Sequence, residues 1–119
     1  MANLVDFEKH DTIGVITVDN PPVNALSVGV PQGIIDGVKA ANADSDITAM
    51  VLRGAGRGFI AGADINEFLN PPPPGNAGLT DVLTCFENSP KPIVAAIHGN
   101  ALGGGLETAL ACHYRCGAA

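Results

Sequence analysis

The stretch most able to support chemistry is glycine-rich and runs from Gly99 to Glu107, with the sequence GNALGGGLE. Three consecutive glycines, Gly103 to Gly105, precede a predicted helix, so backbone N–H groups without a helical partner can approach a ligand closely there. The helix dipole adds partial positive charge at the same point. Such a turn suits a phosphate or a developing oxyanion. Its spacing fits neither the dinucleotide fingerprint nor the phosphate loop, and tight packing of helix against strand explains the glycines equally well.

Glu107 is the only Asp, Glu, Lys or Arg between Lys91 and Arg115. Its neighbours are almost all apolar, a pattern typical of a buried helix. A buried carboxylate is costly unless it is paired, protonated or used in catalysis, which makes Glu107 a candidate general acid or base. The alternative is an exposed acid in the first turn of the helix, favoured by the dipole.

A second turn of small residues lies in the segment FIAGAD, from Phe59 to Asp64. A ligand could lie against the main chain there, although small apolar turns are more often simple core features. The cluster formed by Cys112, His113 and Cys116 has the wrong order for haem attachment, and no fourth ligand stands at a recognisable zinc spacing, so we predict no metal site.

The elements that must position these segments follow the order ββ, α, β, α, β, α, which predicts an α/β protein with crossover units. The predicted strands are 4–8, 13–18, 47–52 and 93–97. The predicted helices are 28–41, capped by Ser27, then 79–88 and 106–113, with a helical turn at 65–69. Four consecutive prolines mark 70–78 as an exposed loop. We expect no strand after the last helix, so that the fold would be incomplete at its C-terminus.

Composition narrows the class of protein further. A chain of 119 residues fits one domain, and a net charge of −6 with no basic stripe disfavours nucleic-acid binding. Three cysteines are too few for a disulfide framework. The N-terminus lacks the pattern of a signal peptide, and no apolar run reaches the length of a membrane span. We therefore expect a soluble, cytoplasmic protein with no membrane partner.

Together, five segments resemble the crotonase superfamily of enoyl-CoA hydratases and isomerases, in that family's order. They are NPPVNALS (20–27), VLRG (51–54), GFIAGADI (58–65), PKPIVAAIHG (90–99) and ALGGGLE (101–107). The combination is most similar to the hydratase/isomerase region of multifunctional fatty-acid oxidation enzymes. The resemblance implies a crotonase-like spiral of ββα units, with residues 1–119 as the N-terminal portion of a single domain.

The resemblance also implies roles for particular residues. The backbone N–H groups of Ala63 and Gly104 would hold a thioester oxygen, and Glu107 matches the first catalytic glutamate of the hydratases. The family's second glutamate falls beyond the segments present here. No cofactor is implied, because coenzyme A is part of the substrate, and the full-length protein would form a homotrimer or a dimer of trimers. The implied substrate contacts are Val23, Ala25, Ala61, Ala63, Asp64, Ile65 and Gly104.

The function implied by the resemblance is that of an enoyl-CoA hydratase-type lyase, which adds water to trans-2-enoyl-CoA in fatty-acid β-oxidation. With only one of the two glutamates present, we expect the 119 residues alone to be weakly active or inactive. The nearest alternatives are a Δ3-Δ2 enoyl-CoA isomerase and a hydrolase or decarboxylase of the same fold. A different class is a non-catalytic fragment that binds acyl-CoA or serves in assembly.

Overall fold

The computed structural model describes residues 4–21, 23–56, 58–61, 75–99 and 104–117. Strands and helices alternate along the chain after an initial pair of strands, as the sequence predicts. The strands are β1 (Val5–His10), β2 (Ile13–Val18), β3 (Ala49–Gly54), β4 (Ile93–Ile97) and β5 (Tyr114–Gly117), and the helices are α1 (Val30–Ala43), α2 (Leu79–Glu87) and α3 (Gly104–Ala111). The predicted turn at 65–69 and most of the loop at 70–78 lie outside the described residues.

The five strands form one sheet in the order β1-β2-β3-β4-β5. β1 and β2 pair antiparallel across a tight turn at Asp11, whose φ of 55° an aspartate tolerates. The remaining neighbours pair parallel. Each parallel step therefore needs a crossover, and α1, α2 and α3 provide the three crossovers. Because parallel strands run in one direction, their carboxyl ends lie along one edge of the sheet.

One face of the sheet and the helices enclose the core. Alternate residues of the central strands β2 and β3 are buried, which is the pattern of a sheet covered on that face. Helix α1 contributes the apolar positions that the helical spacing predicts, and α2 adds Val82 and Phe86. The fully buried side chains of largest volume include Ile16, Ile34, Met50, Leu52, Phe59, Phe86 and Ile93.

The start of α1 differs from the prediction. The helix begins at Val30 and its N-cap is Gly29, which has a φ of 97°. Glycine adopts this left-handed conformation without strain, and Pro31 fixes the first turn. Ser27 therefore does not cap the helix through its side chain: its carbonyl oxygen accepts a hydrogen bond from Val30 N–H at 3.0 Å, and its hydroxyl oxygen accepts one from the Asn20 side chain.

The other end of α1 is held by Lys91, in the connection between α2 and β4. Its Nζ donates to the carbonyl oxygens of Ala41 and Asp44, each at 2.7 Å. The last carbonyls of a helix have no partner within the helix, so a cation at this position satisfies them and also complements the dipole. Lys91 thus ties the α2–β4 connection to the C-terminus of α1.

The prediction that no strand follows the last helix is wrong. α3 begins and ends two residues earlier than expected, which leaves room for β5 beside β4. The backbone N–H of His113 donates to Ile93 O, and Ile93 N–H donates to His113 Nδ1, both at 2.9 Å. β5 is a short edge strand with all its residues exposed, so it forms through backbone pairing and carries no apolar alternation for sequence reasoning to find.

Within the described part of the chain, no helix combines the length and apolar character required to cross a bilayer.

Candidate active site

The segments singled out by the sequence meet at the carboxyl edge of the parallel sheet. The loop that contains Val23 and Ala25 follows β2, the segment 55–61 follows β3, and α3 follows β4. In open α/β sheets this edge is where ligand-binding crevices form, because every loop that leaves a parallel strand begins there. The topology therefore places three of the predicted binding segments side by side.

Asn24 joins the first two of these segments. Its side-chain Nδ2 lies 2.9 Å from Ala55 O, 3.1 Å from Gly58 O and 3.0 Å from Phe59 O. Its backbone carbonyl oxygen accepts a hydrogen bond from Ala61 N–H at 3.3 Å. The predicted substrate contact Ala61 is thus bonded to the residue that stands between the predicted contacts Val23 and Ala25.

The third segment packs directly on the second. A Cβ atom added to Gly105 would lie 1.7 Å from Ile60 O and 2.5 Å from Ile60 C, far inside any real contact. The first turn of α3 and the backbone at Ile60 are therefore separated by no side chain at all. Only glycine permits this approach. The contact agrees with the packing explanation of the glycine run, and the approach of a ligand to the same run stays a prediction.

The N-terminus of α3 has backbone N–H groups that lack a helical acceptor. Gly104 is the first residue of the helix, so its N–H has no acceptor four residues earlier within the helix. Further along, Thr108, Ala109 and Cys112 are buried. Several of the side chains described in and just after α3 are therefore buried, and the first turn of the helix lies against Ile60.

The structure describes part of the predicted site. Ala25 is half-buried, Val23 is 56% exposed, Ala61 is half-buried, and Gly104 begins α3. Glu107 is the fourth residue of that helix, while its side chain lies outside what the structure describes. The predicted contacts Ala63, Asp64 and Ile65 also lie outside the described residues.

His98 after β4 and Cys112 after α3, at opposite edges of the sheet, both have structural partners. His98, directly after β4, donates from Nε2 to Gly56 O at 2.8 Å. Burial raises the pKa of the Cys112 thiol to about 12, although Arg115 acts in the opposite direction. Cys112 Sγ donates to Thr108 O. A thiol that stays protonated and bonded in the core is unsuited to act as a nucleophile.

Sequence reasoning gave Asn24 no individual role, although it lies between the predicted contacts Val23 and Ala25. Among the described residues at this edge it makes the most hydrogen bonds. The signal for it was indirect. An asparagine in the predominantly apolar and proline-rich segment NPPVNAL fits a left-handed turn position, and its φ is 57°. Its three carbonyl partners lie 31 to 35 residues away along the chain, so no local pattern could have revealed them.

A sheet with one antiparallel and three parallel pairings, joined by helices and with the start of α3 against Ile60 at its carboxyl edge, fits the crotonase fold. Residues 8–119 match the family model described as enoyl-CoA hydratase/isomerase. The chain belongs to the enoyl-CoA hydratase/isomerase family.

Solved structures and curated sequences agree with this assignment. The crystal structure of an enoyl-CoA hydratase/carnithine racemase from Magnetospirillum magneticum superposes with a TM-score of 0.88 and 31% identity, covering 98% of this chain and 47% of that one. A probable enoyl-CoA hydratase of Bacillus subtilis is 38% identical over 98% of this chain. A peroxisomal bifunctional enzyme of Danio rerio is 47% identical over 87% of it.

The chain spans only part of these relatives. It covers 47% of the Bacillus protein and 14% of the fish enzyme. The resemblance to multifunctional fatty-acid oxidation enzymes is confirmed by the fish protein and by the Arabidopsis thaliana peroxisomal fatty acid beta-oxidation multifunctional protein, which is 42% identical over 92% of this chain.

Proposed function

We propose that the chain provides the thioester-binding part of an enoyl-CoA hydratase site, which adds water to trans-2-enoyl-CoA in fatty-acid β-oxidation. The observation that carries this proposal is the direct backbone approach of Gly105, in the first turn of α3, to Ile60. It brings a helix N-terminus beside the segment that leads to Ala63. Membership of the hydratase/isomerase family makes an acyl-CoA thioester the substrate to test first.

In this proposal the thioester oxygen accepts hydrogen bonds from the backbone N–H groups of Ala63 and Gly104. Addition of water to the double bond pushes charge onto that oxygen and creates an enolate. Fixed donors that face the developing charge stabilise the transition state more than the ground state. In other enzymes one such donor contributes about 3–4 kcal/mol.

Glu107 has the second role in the proposal. It stands one turn into α3 after Gly104, in a stretch with no other charged residue between Lys91 and Arg115. We assign it proton transfer between water and the substrate, which a carboxylate performs as general acid or base. The printed sequence has no Asp or Glu after Glu107, so we expect these 119 residues to bind thioesters and to hydrate them slowly or not at all.

The binding half of the proposal is tested with butyryl-CoA, a saturated thioester that cannot be hydrated, labelled with carbon-13 at its carbonyl. We expect the bound carbonyl resonance to move downfield, because hydrogen bonds to the oxygen polarise the C=O bond. Failure of the chain to bind butyryl-CoA would refute the thioester site. Binding without a shift of the resonance would refute the pair of backbone donors.

The catalytic half is tested with crotonyl-CoA, whose hydration removes the enoyl absorbance. We expect Glu107→Gln to lower whatever turnover the chain has by about 100-fold or more, the usual contribution of a general acid or base. It should leave the butyryl-CoA carbonyl shift unchanged, since the donors are backbone groups. Glu87→Gln is the matched control, because Glu87 is an exposed carboxylate at the end of α2. Parental turnover in Glu107→Gln would exclude its role, and rapid turnover that depends on Glu107 would exclude the need for a second carboxylate.

The same oxygen-binding pair also serves a Δ3-Δ2 enoyl-CoA isomerase, which moves a proton and adds no water. Hydration is preferred here because the Bacillus relative is described as a probable enoyl-CoA hydratase. A 3-enoyl-CoA substrate separates the two reactions, since only an isomerase converts it to the 2-enoyl product. Assembly of the full-length protein into trimers and a cytoplasmic location remain predictions.

A further inference from the structure

Asn24 is a polar residue placed in the core at an unusual backbone conformation. Only 3% of its surface is exposed, and its φ of 57° lies in the left-handed region. Burial of an amide side chain is unfavourable unless its hydrogen bonds are made, and a non-glycine residue with positive φ is uncommon. Both features occur at a position between the two predicted substrate contacts Val23 and Ala25. The hydrogen-bond partners of the Asn24 side chain therefore matter for the site.

The side chain uses its hydrogen-bonding capacity on two loops. Its Nδ2 lies within 3.1 Å of the carbonyl oxygens of Ala55, Gly58 and Phe59, so two hydrogens serve three acceptors. Its Oδ1 accepts a hydrogen bond from Asn20 N–H at 2.8 Å. These bonds hold three carbonyls of the segment 55–61 around one amide group.

Gly54 makes room for this arrangement. A Cβ atom at Gly54 would lie 2.2 Å from Phe59 O, 2.3 Å from Gly58 O and 2.8 Å from Asn24 Nδ2. Because Gly54 has no side chain, the loop can fold back over the end of β3, and its carbonyl groups reach the Asn24 side-chain amide. One residue further on, the same loop touches α3, where Ile60 O lies against Gly105.

We propose that Asn24 is a positioning residue, which fixes the segment 58–61 against the N-terminus of α3 and thereby sets the place of the donor at Ala63. The inference rests on the proposed function, because it concerns the distance between the two oxygen-binding N–H groups. Asn24 itself acts only through the backbone that it holds. The chain leaves Ala61, whose N–H is bonded to Asn24 O, only two residues before Ala63.

Asn24→Asp is the sharpest variant, because aspartate has nearly the same shape, tolerates positive φ and keeps an acceptor for Asn20 N–H. It replaces the donor group with an oxygen that faces three carbonyl oxygens. Asn42→Asp is the matched control: it makes the same chemical change at a half-buried asparagine whose Nδ2 donates to Ser89 Oγ. Asn24→Gly serves if Asn24→Asp does not fold, since glycine keeps the backbone conformation and removes only the amide.

One measurement tests whether Asn24 holds the segment 58–61, and a second tests whether it affects binding of the thioester oxygen. Hydrogen exchange reports the segment itself: we expect the protection of the Ala61 amide to fall about tenfold or more in Asn24→Asp, while the amides of β3 keep the protection they have in Asn42→Asp. The carbon-13 resonance of bound butyryl-CoA reports the donors: we expect its downfield shift to be lost or halved in the Asn24 variant alone. Hydration of crotonyl-CoA, where the parent shows it, should fall about 100-fold in kcat with little change in KM, the cost expected of a misplacement near 1 Å.

Each outcome bears on a different claim. A parent that binds no butyryl-CoA refutes the proposed function, and the exchange data then decide alone whether Asn24 fixes the segment. A variant that binds butyryl-CoA with the parental shift and retains Ala61 protection overturns the positioning role while leaving the hydratase proposal intact. Equal loss of protection in β3 and at Ala61 assigns Asn24 to general stability and also overturns the proposal.

Discussion

Replacement of Gly105 by alanine tests the contact on which the site depends. The added Cβ would lie 1.7 Å from Ile60 O, whereas real Cβ contacts are essentially never shorter than 3.0 Å. The helix and the segment must therefore separate by about 1.3 Å. The clashing atoms belong to the backbone, so no side-chain rotation relieves the overlap.

The expected loss of stability is the balance of two effects. Alanine favours the helix by about 1 kcal/mol relative to glycine. Overpacking of a rigid contact typically costs about 1–3 kcal/mol and more where backbone must move. We therefore expect Gly105→Ala to lower the free energy of unfolding by about 2 kcal/mol, and to weaken the carbonyl shift of bound butyryl-CoA because the two donors move apart.

Gly37→Ala is the matched control. Gly37 is also a buried helical glycine, but its added Cβ would meet the side chain of Ile16 at 3.1 Å, an overlap that needs a shift of only a few tenths of an ångström. We expect its gain in helix propensity to offset the tight contact to within about 1 kcal/mol. Urea unfolding followed by circular dichroism compares the two variants. The reasoning is refuted if Gly105→Ala unfolds at the parental urea concentration and binds butyryl-CoA with an unchanged carbonyl shift.

Two further predictions concern the frame around the site. Lys91→Met removes both hydrogen bonds to the C-terminus of α1, so we expect urea unfolding to show a loss of about 1–3 kcal/mol. Lys39 is exposed, so Lys39→Met should change the free energy of unfolding by less than about 0.5 kcal/mol. Equal losses in the two variants would contradict a stabilising role for the Lys91 hydrogen bonds. In the thiols, burial raises the pKa of Cys112 to about 12 while Cys116 is exposed, so iodoacetamide at pH 8 should label Cys116 first and Cys112 only on unfolding. Peptide mapping checks the order, and early labelling of Cys112 would show that the end of α3 is open.

Local sequence patterns were sufficient for most of the fold. The helical spacing of Val30, Ile34 and Val38 placed α1 correctly within two residues, and the run from Ile93 to Ile97 placed β4. These patterns succeed because the residues that bury one face of a helix or strand lie close together in the chain. β5 was not predicted because it pairs through backbone groups and has no apolar alternation. The predicted cap at Ser27 was wrong because Gly29 and Pro31 fix the start of α1.

The sequence by itself determined which residues have the chemistry for the site. Glycines before a helix and a single acid in an uncharged stretch are properties of the chain, and the order of the five motifs identified the family. The tertiary structure alone decided that Asn24 and Gly105 both contact the same loop, at Phe59 O and Ile60 O. The reason is physical: Asn24 lies 31 or more residues from its carbonyl partners, and Gly105 lies 45 residues from Ile60. Contacts at such separations are set by how strands stack into a sheet, which local spacing does not encode.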